Sequence, residues 1–299
     1  MISPIVTAIL VNYNAGPELR QALQSIALEL TGQSWEGIVV DNASSDGSAA
    51  IAREFGPEVR LVQNAENIGF ARGVNRGLML ASAPLVLIMN PDSRLLPGAM
   101  ATLRRELERH ETCALVGPCI LDPDGTVQGN ARGDPDMFTG LFGRTTFLRR
   151  LLPDLPVSKR NVLTDEPTRA GKASSKIDWV SGACMLARRD ALGKIGGFDE
   201  RYFLYWEDAD LCRRLRTHGF HVRYVPGAMA VHRVGHSSRK VRAAATRAFH
   251  DSAYLYYTTH VAPGGSQHPL PRRLRRRAKR LLARAMLSAR CWLRLRSAS

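Results

Sequence analysis

Two stretches of this 299-residue chain combine side chains in ways that suit chemistry. The first is Asn90-Pro91-Asp92-Ser93, which follows directly on the apolar run Leu85 to Met89. A carboxylate at the end of such a run is placed to hold a divalent cation or a ribose, because ligands of open α/β sheets bind beyond the carboxyl ends of the strands. The same four residues are also good turn formers, so this segment alone leaves turn and site open. The second stretch is Tyr205-Trp206-Glu207-Asp208-Ala209-Asp210, preceded by Tyr202 and Phe203. Acids at a helix N-terminus are favoured by the helix dipole, which accounts for the carboxylates but not for the four aromatics. Aromatic faces stack on sugar rings and a neighbouring carboxylate can accept a hydroxyl proton, so this stretch reads as a carbohydrate site.

The elements that must position these groups follow from hydrophobic patterning. Ile5 to Tyr13, Gly37 to Val40, Val59 to Val62 and Leu85 to Met89 are short, nearly unbroken apolar runs, the pattern of strands buried on both faces. Helical periodicity lies between them, as in Leu19, Leu23, Ile26 and Leu30, in the segment after Asp46 and Ser48, and from Asn67 to Ala81. Strands alternating with helices predict a parallel, doubly wound α/β sheet. Three of the strands end in polar or acidic residues, Asn12, Asp41, and Asn90 with Asp92. Strand tips share one edge of such a sheet, so these side chains are expected to converge on one cleft.

Gly69, Gly73 and Gly77 are spaced by four, which does not match the dinucleotide fingerprint and suits close packing of a helix on the sheet. Arg72 and Asn75 sit elsewhere on that helix, where they could face a phosphate. Pro97 to His110 reads as a helix and Ala114 to Leu121 as a strand. From Asp122 to Ser175 the pattern dissolves into Gly, Pro, Ser and charge, which predicts a flexible flap containing the apolar segment Met137 to Leu152. Beyond it, Ile177 to Leu186 reads as one strand, Asp190 to Ile195 as a short helix, and Val222 to Val225 and Met229 to His232 as two strands. His232 closes a strand beside a glycine-containing loop, where it could complete a metal or diphosphate site. Ala243 to Tyr257 reads as a helix packed on the body.

The composition, 44% hydrophobic and 23% charged, is that of a globular protein, but the net charge of +15 is unevenly spread. Leu270 to Ser299 holds 11 Lys or Arg and no acid, which leaves about +4 for the rest of the chain. Five cysteines without Cys-X-X-Cys spacing fit a reducing compartment. The chain opens on a strand-like run, with no signal segment and no apolar run near the ~20 residues a spanning helix needs. A cytoplasmic protein is expected.

In order along the chain, Val11-Asn12-Tyr13-Asn14, the run from Val40-Asp41 to Asp46-Gly47-Ser48, Asn67-Ile68-Gly69-Phe70-Ala71 with Asn75, Asn90-Pro91-Asp92, and Tyr205 to Cys212 resemble the family 2 glycosyltransferases, specifically their bacterial rhamnosyltransferase-type branch. The resemblance spans roughly Ile5 to Ser238. It implies a Rossmann-like nucleotide-binding sheet of glycosyltransferase type A fold and an inverting, single-displacement transfer. It further implies that Asp41 binds the nucleotide base, with Asn12, Arg72 and Asn75 on the nucleotide side. Asp92 would bind ribose and, with His232, a divalent metal (manganese or magnesium) through the diphosphate. This chain has Asn90 where the family's Asp-X-Asp motif begins, which implies weaker metal binding. Asp208 matches the catalytic base with Glu207 beside it, two adjacent carboxylates expected to raise each other's pKa. Trp179, Gly182, Tyr205 and Trp206 would form the acceptor side. The donor implied is deoxythymidine diphosphate rhamnose, with another uridine or guanosine diphosphate sugar as the alternative, and the acceptor a saccharide or polyprenyl-linked saccharide of cell-surface polysaccharide synthesis.

The domain reading is a catalytic unit over 1–268, divided into a nucleotide-binding half to about 121, the flap 122–175 and an acceptor half 176–268, followed by a basic tail 269–299. On a helix the tail gathers Leu274, Leu281, Leu282, Trp292 and Leu293, with Ala278, Ala285 and Ala289, in one sector and its arginines mainly elsewhere. A basic amphipathic helix of that kind suits an anionic membrane surface and predicts a peripheral protein on the inner face of the plasma membrane. The rival classes are a nucleic-acid binder, which would use the tail, and a non-catalytic scaffold. The body carries neither a recognition-helix signature nor a basic aromatic platform, and Asp92 and Asp208 are both present, so no nucleic-acid partner is expected.

Overall fold

Strand β1 (Val6–Asn12) is buried along its whole length, as its continuous apolar run requires. A computed structural model describes residues 3–135, 175–233, 242–263 and 270–296. The elements after β1 are α1 (Glu18–Glu29), β2 (Trp35–Asp41), α2 (Ser48–Glu54), β3 (Val59–Gln63), α3 (Phe70–Leu78), β4 (Leu85–Met89), β5 (Ser93–Leu95), α4 (Ala99–Arg109) and β6 (Cys113–Leu121). They are followed by β7 (Ser175–Ile177), β8 (Cys184–Arg188), α5 (Arg189–Lys194), α6 (Glu207–Thr217), β9 (His221–His232), α7 (Arg242–Tyr256), a π-helical turn Tyr257–Val261, and α8 (Leu270–Arg296).

The strands form one nine-stranded sheet in the order β3-β2-β1-β4-β8-β6-β9-β5, with β7 also on β9. The half of the sheet formed by β3-β2-β1-β4 is parallel as expected. The other half is not. Strand β8 runs antiparallel to both β4 and β6, and β5 and β7 run antiparallel to β9, so the sheet is mixed. A doubly buried strand is a continuous apolar run whichever way it points, so patterning alone does not report direction.

Side chains alternate between two cores. Val6, Ala8 and Leu10 face one layer with Leu19, Leu23, Ile26 and Leu103, whereas Ile9 and Val11 face the other with Phe70, Val74, Leu211 and Leu215. The glycines of α3 are packing glycines, as their spacing predicts. A Cβ on Gly73 would lie 2.8 Å from Val11 Cγ1, and one on Gly77 would lie 2.6 Å from Ile9 Cγ2. Gly69 starts the helix at φ +86°, and a Cβ there would lie 2.5 Å from the Phe203 carbonyl oxygen.

Three other expectations change. The strand read over Ile177 to Leu186 is interrupted after β7, because residues 178–183 turn to bond neighbouring loops before β8 begins. The two strands read after Val222 are one, β9, whose register against β6 shifts between Pro118 and Cys119. The flap read from Asp122 is structured over its first part. Leu121 bridges Val127, Arg132 bridges Trp179, and buried Asn130 donates to the Pro118 carbonyl at 2.7 Å. Side-chain amides there supply the hydrogen bonds that a ladder would otherwise provide, leaving no apolar signal. Met137 to Leu152 lies outside the described residues.

Candidate active site

The tips of β1 and β2 are joined by a buried polar network. Asn12 Nδ2 donates to Asp41 Oδ1 at 2.7 Å and to Ser48 Oγ at 2.8 Å, and the Ser44 amide donates to Asp41 Oδ2 at 3.1 Å. Asn12 and Asp41 are both fully buried, and Asn12 Oδ1 has no protein partner. This pair fixes the 42–48 loop and the entry to α2, where Asp46 accepts from the Ser48 amide at 3.0 Å. Any contact of Asp41 with a ligand would draw on a carboxylate already bonded at both oxygens.

The tip of β4 meets the end of β9. His232 Nε2 lies 3.3 Å from Asp92 Oδ1 and 3.4 Å from Asn90 Nδ2, while His232 Nδ1 is 3.1 Å from Gln128 Oε1. Gln128 Oε1 only accepts, so this contact is a hydrogen bond when the ring carries a proton on Nδ1, and the tautomer with its proton there alone leaves Nε2 able to ligate a cation. A hard carboxylate oxygen and an imidazole nitrogen this close are the kinds of ligand atom a divalent cation can use. Among the described residues no group of three His, Cys, Asp or Glu is arranged to hold a metal ion. A cation held by Asp92 and His232 would therefore take its remaining positions from a bound diphosphate and water, as magnesium sites commonly do.

The 178–183 loop connects this tip to the acidic helix. The Asn90 amide donates to the Ala183 carbonyl at 3.0 Å, and the Gly182 amide donates to Asp208 Oδ2 at 2.9 Å. The loop is held from beneath by Asn130, whose Oδ1 accepts from the Ser181 amide at 2.6 Å. Gln128 and Asn130 were missed by sequence reasoning, since single amides in a stretch without periodicity carry no signal.

Helix α6 opens after two consecutive left-handed residues, Tyr205 at φ 68° and Trp206 at φ 71°. Non-glycine residues rarely adopt this conformation, and pairs of them cluster where a side chain must be aimed. The turn separates the three acids. Asp210 is fully buried, ion-paired with Arg214 Nε and in contact with His260 Nε2, each at 2.6 Å. Glu207 is buried, and its Oε2 has no protein partner. Asp208 is partly exposed, with Oδ1 accepting from the Ala209 amide at 2.8 Å and Oδ2 from Gly182. Burial pushes the Glu207 carboxyl well above the usual carboxylate range, and the charges of Asp208 and Asp210 add to the rise. Burial raises Asp208 too, while the Gly182 and Ala209 amides and the Arg132 charge pull it back. Burial thus leads in both carboxyls, ahead of the mutual repulsion expected from their adjacency.

The remaining expected residues are placed as follows. Gly182 lies against Phe70 and Asp208, 3.6 and 3.7 Å from where its Cβ would be. Trp179 carries the Arg132 guanidinium 4.8 Å over its ring and donates from Nε1 to the Gly133 carbonyl. Tyr205 and Trp206 are half-buried against Phe249 of α7, with ring centroids 5.8 and 5.7 Å apart. Arg72 is exposed, 3.8 Å from Glu200. Asn75 bonds both backbone groups of Phe198, so its amide ties α3 to the loop before α6.

The family model described as Glycosyl transferase family 2 matches residues 7–196. An N-acetylglucosaminyl-diphospho-decaprenol L-rhamnosyltransferase of Mycobacterium tuberculosis is 34% identical over 266 residues, covering 85% of this chain and 84% of its own length. A mannosyltransferase from Pyrobaculum calidifontis, solved with GDP-Man and Mn2+, matches at a TM-score of 0.58 and 19% identity over 100% of this chain and 77% of that one. GalNAc-T7, solved with UDP, GalNAc and Mn2+, matches at a TM-score of 0.58 and 13% identity over 87% of this chain and 51% of that one. These structural likenesses identify the architecture as the glycosyltransferase type A fold.

Proposed function

This chain belongs to glycosyl transferase family 2 as a rhamnosyltransferase-type glycosyltransferase, and from that premise we propose that it transfers rhamnose from deoxythymidine diphosphate rhamnose to a lipid-linked saccharide. The observation that carries the chemical part is the sorting of the three acids of α6. Asp210 is buried and occupied by Arg214 and His260, and Glu207 is sealed in, which leaves Asp208 as the carboxylate with access to an acceptor.

The reaction is a single displacement with inversion. The acceptor hydroxyl oxygen forms its bond to the anomeric carbon as the bond from that carbon to the diphosphate breaks. Asp208 takes the hydroxyl proton, and the electron pair leaves with the nucleoside diphosphate. Gly182 fixes one Asp208 oxygen through its amide, so the carboxylate is oriented before substrate arrives, which is where a positioned base gains its advantage. A divalent cation, when bound, supplies positive charge to the departing diphosphate. Asp92 and His232 are the residues that would hold it, with Gln128 fixing the imidazole. The donor's nucleoside lies along the edge built by the Asn12–Asp41 network.

Among the described residues no helix is long and apolar enough to cross a membrane. With a lipid-linked acceptor, the protein works peripherally at the cytoplasmic face of the membrane. The reading is tested by incubating the purified chain with deoxythymidine, uridine and guanosine diphosphate sugars, with and without manganese. The measured product is nucleoside diphosphate released in the presence of a polyprenyl-diphosphate N-acetylglucosamine acceptor. Rhamnose-donor turnover giving a product of inverted anomeric configuration is expected; turnover of only another sugar, or retention, overturns the corresponding part.

A further inference from the structure

Helix α8 has two faces with different employment. Its inner face lies on α7 and the π-turn. Ala283 and Leu287 are buried there, Arg280 donates to the Ala262 and Thr258 carbonyls at 2.8 and 3.0 Å, and Arg284 pairs with Asp251 at 3.0 Å. The outer face presents Leu274, Leu281, Leu282, Trp292 and Leu293, all 52 to 64% exposed. On a 100° per residue projection these five fall within one sector of about 120°, opposite Ala283 and Leu287. Scattered exposed leucines are ordinary, but a row of five along one helix is a surface built to be covered.

The charge beside the row identifies the cover. Arg275, Arg277 and Lys279 are exposed at its borders, and Arg296 stacks 3.9 Å over Trp292. The helix holds no acid at all. A second copy of the same helix would bring like charges together on either side of the row, whereas anionic lipid headgroups complement them and the acyl boundary takes up the leucines and tryptophan.

We infer that the outer face of α8 is a docking surface for an anionic bilayer, lying in the interface plane while the inner face stays clamped on α7. The inference rests on the peripheral location proposed above and adds the surface and its orientation. It differs from a detachable basic tail, since Arg276, Arg280 and Arg284 bond the body of the protein.

The experiment is co-sedimentation of the full-length chain with vesicles of phosphatidylglycerol and phosphatidylcholine, and with phosphatidylcholine alone, at physiological salt and without donor or acceptor. The wild type should pellet with the anionic vesicles only. Leu281→Glu/Leu293→Glu should lose at least tenfold of that binding with unchanged helicity and melting temperature. Arg275→Gln/Arg277→Gln/Lys279→Gln should bind only at lower salt. Equal pelleting of the leucine variant, or equal binding to both vesicle types, overturns the inference. So does a wild-type dimer in sedimentation velocity that the leucine variant abolishes, which would name a second copy as the cover. Binding is scored without turnover, so a chain that docks normally yet transfers no sugar fails only the catalytic reading.

Discussion

The Gly182 amide donates a hydrogen bond to Asp208 Oδ2 at 2.9 Å across 26 positions of sequence. Through it a backbone group of the sheet-side loop sets the direction of the one acid on α6 that is partly exposed. Asp208→Asn keeps the shape and removes the proton acceptor. It should lower kcat by roughly two orders of magnitude or more, the usual worth of a positioned base, with donor affinity by calorimetry little changed. Glu207→Gln, one position away, should stay within a few-fold of wild type. The reverse ranking would transfer the role to Glu207.

The raised Asp208 carboxyl has a kinetic consequence. A base must be deprotonated to work, so the acid limb of the kcat against pH profile should lie above the ordinary carboxylate value of 3.8. A limb at or below that value would contradict the assignment.

Glu207 has a thermodynamic one. Its folded-state pKa stands well above the unfolded 4.5, so the folded protein holds the proton more tightly and its stability falls as pH rises from 4.5 toward the folded value. Glu207→Gln should flatten that fall and raise the melting temperature at neutral pH, read by calorimetric melts from pH 4.5 to 8.

At the tip of β4, where a cation is proposed, Asp92→Ala should abolish manganese-dependent binding of the nucleoside diphosphate. Asn90→Ala should weaken it less, since an amide is a poorer ligand for a hard cation than a carboxylate. Calorimetry with and without manganese reads both, and equal losses would count against a cation at Asp92.

Gly77→Ala tests the close seat of α3. The added methyl would lie 2.6 Å from Ile9 Cγ2 in a fully buried strand. Such overpacking costs about 1–3 kcal/mol, to be seen in denaturant melts, with kcat at 15 °C unchanged.

The parallel half of the fold was legible because each of its strands is a short apolar run between turn residues, and the packing role of Gly73 and Gly77 followed from their spacing. The antiparallel insertion of β8 was not, because direction is set by how the chain returns to the sheet and not by side-chain alternation. At the candidate site, Asp92, His232 and Asp208 stand out in the sequence as charged or ring-nitrogen groups at element ends. Gln128 and Asn130 were invisible because what they supply is a hydrogen-bonded amide in an aperiodic loop. The aromatics Tyr205 and Trp206 were read as open sugar platforms, and the fold uses much of their surface against Phe249.

The π-turn Tyr257–Val261 carries one more implication, and it concerns the order in which the chain is made. His260 on that turn bonds the buried Asp210 of α6, and Arg280 of α8 caps the Thr258 and Ala262 carbonyls. The support for the acid-bearing helix therefore leaves the ribosome after the helix itself. A product terminated shortly after 263 would own every described strand of the sheet and both candidate catalytic acids. It would hold α6 against a turn whose Thr258 and Ala262 carbonyls had lost their arginine.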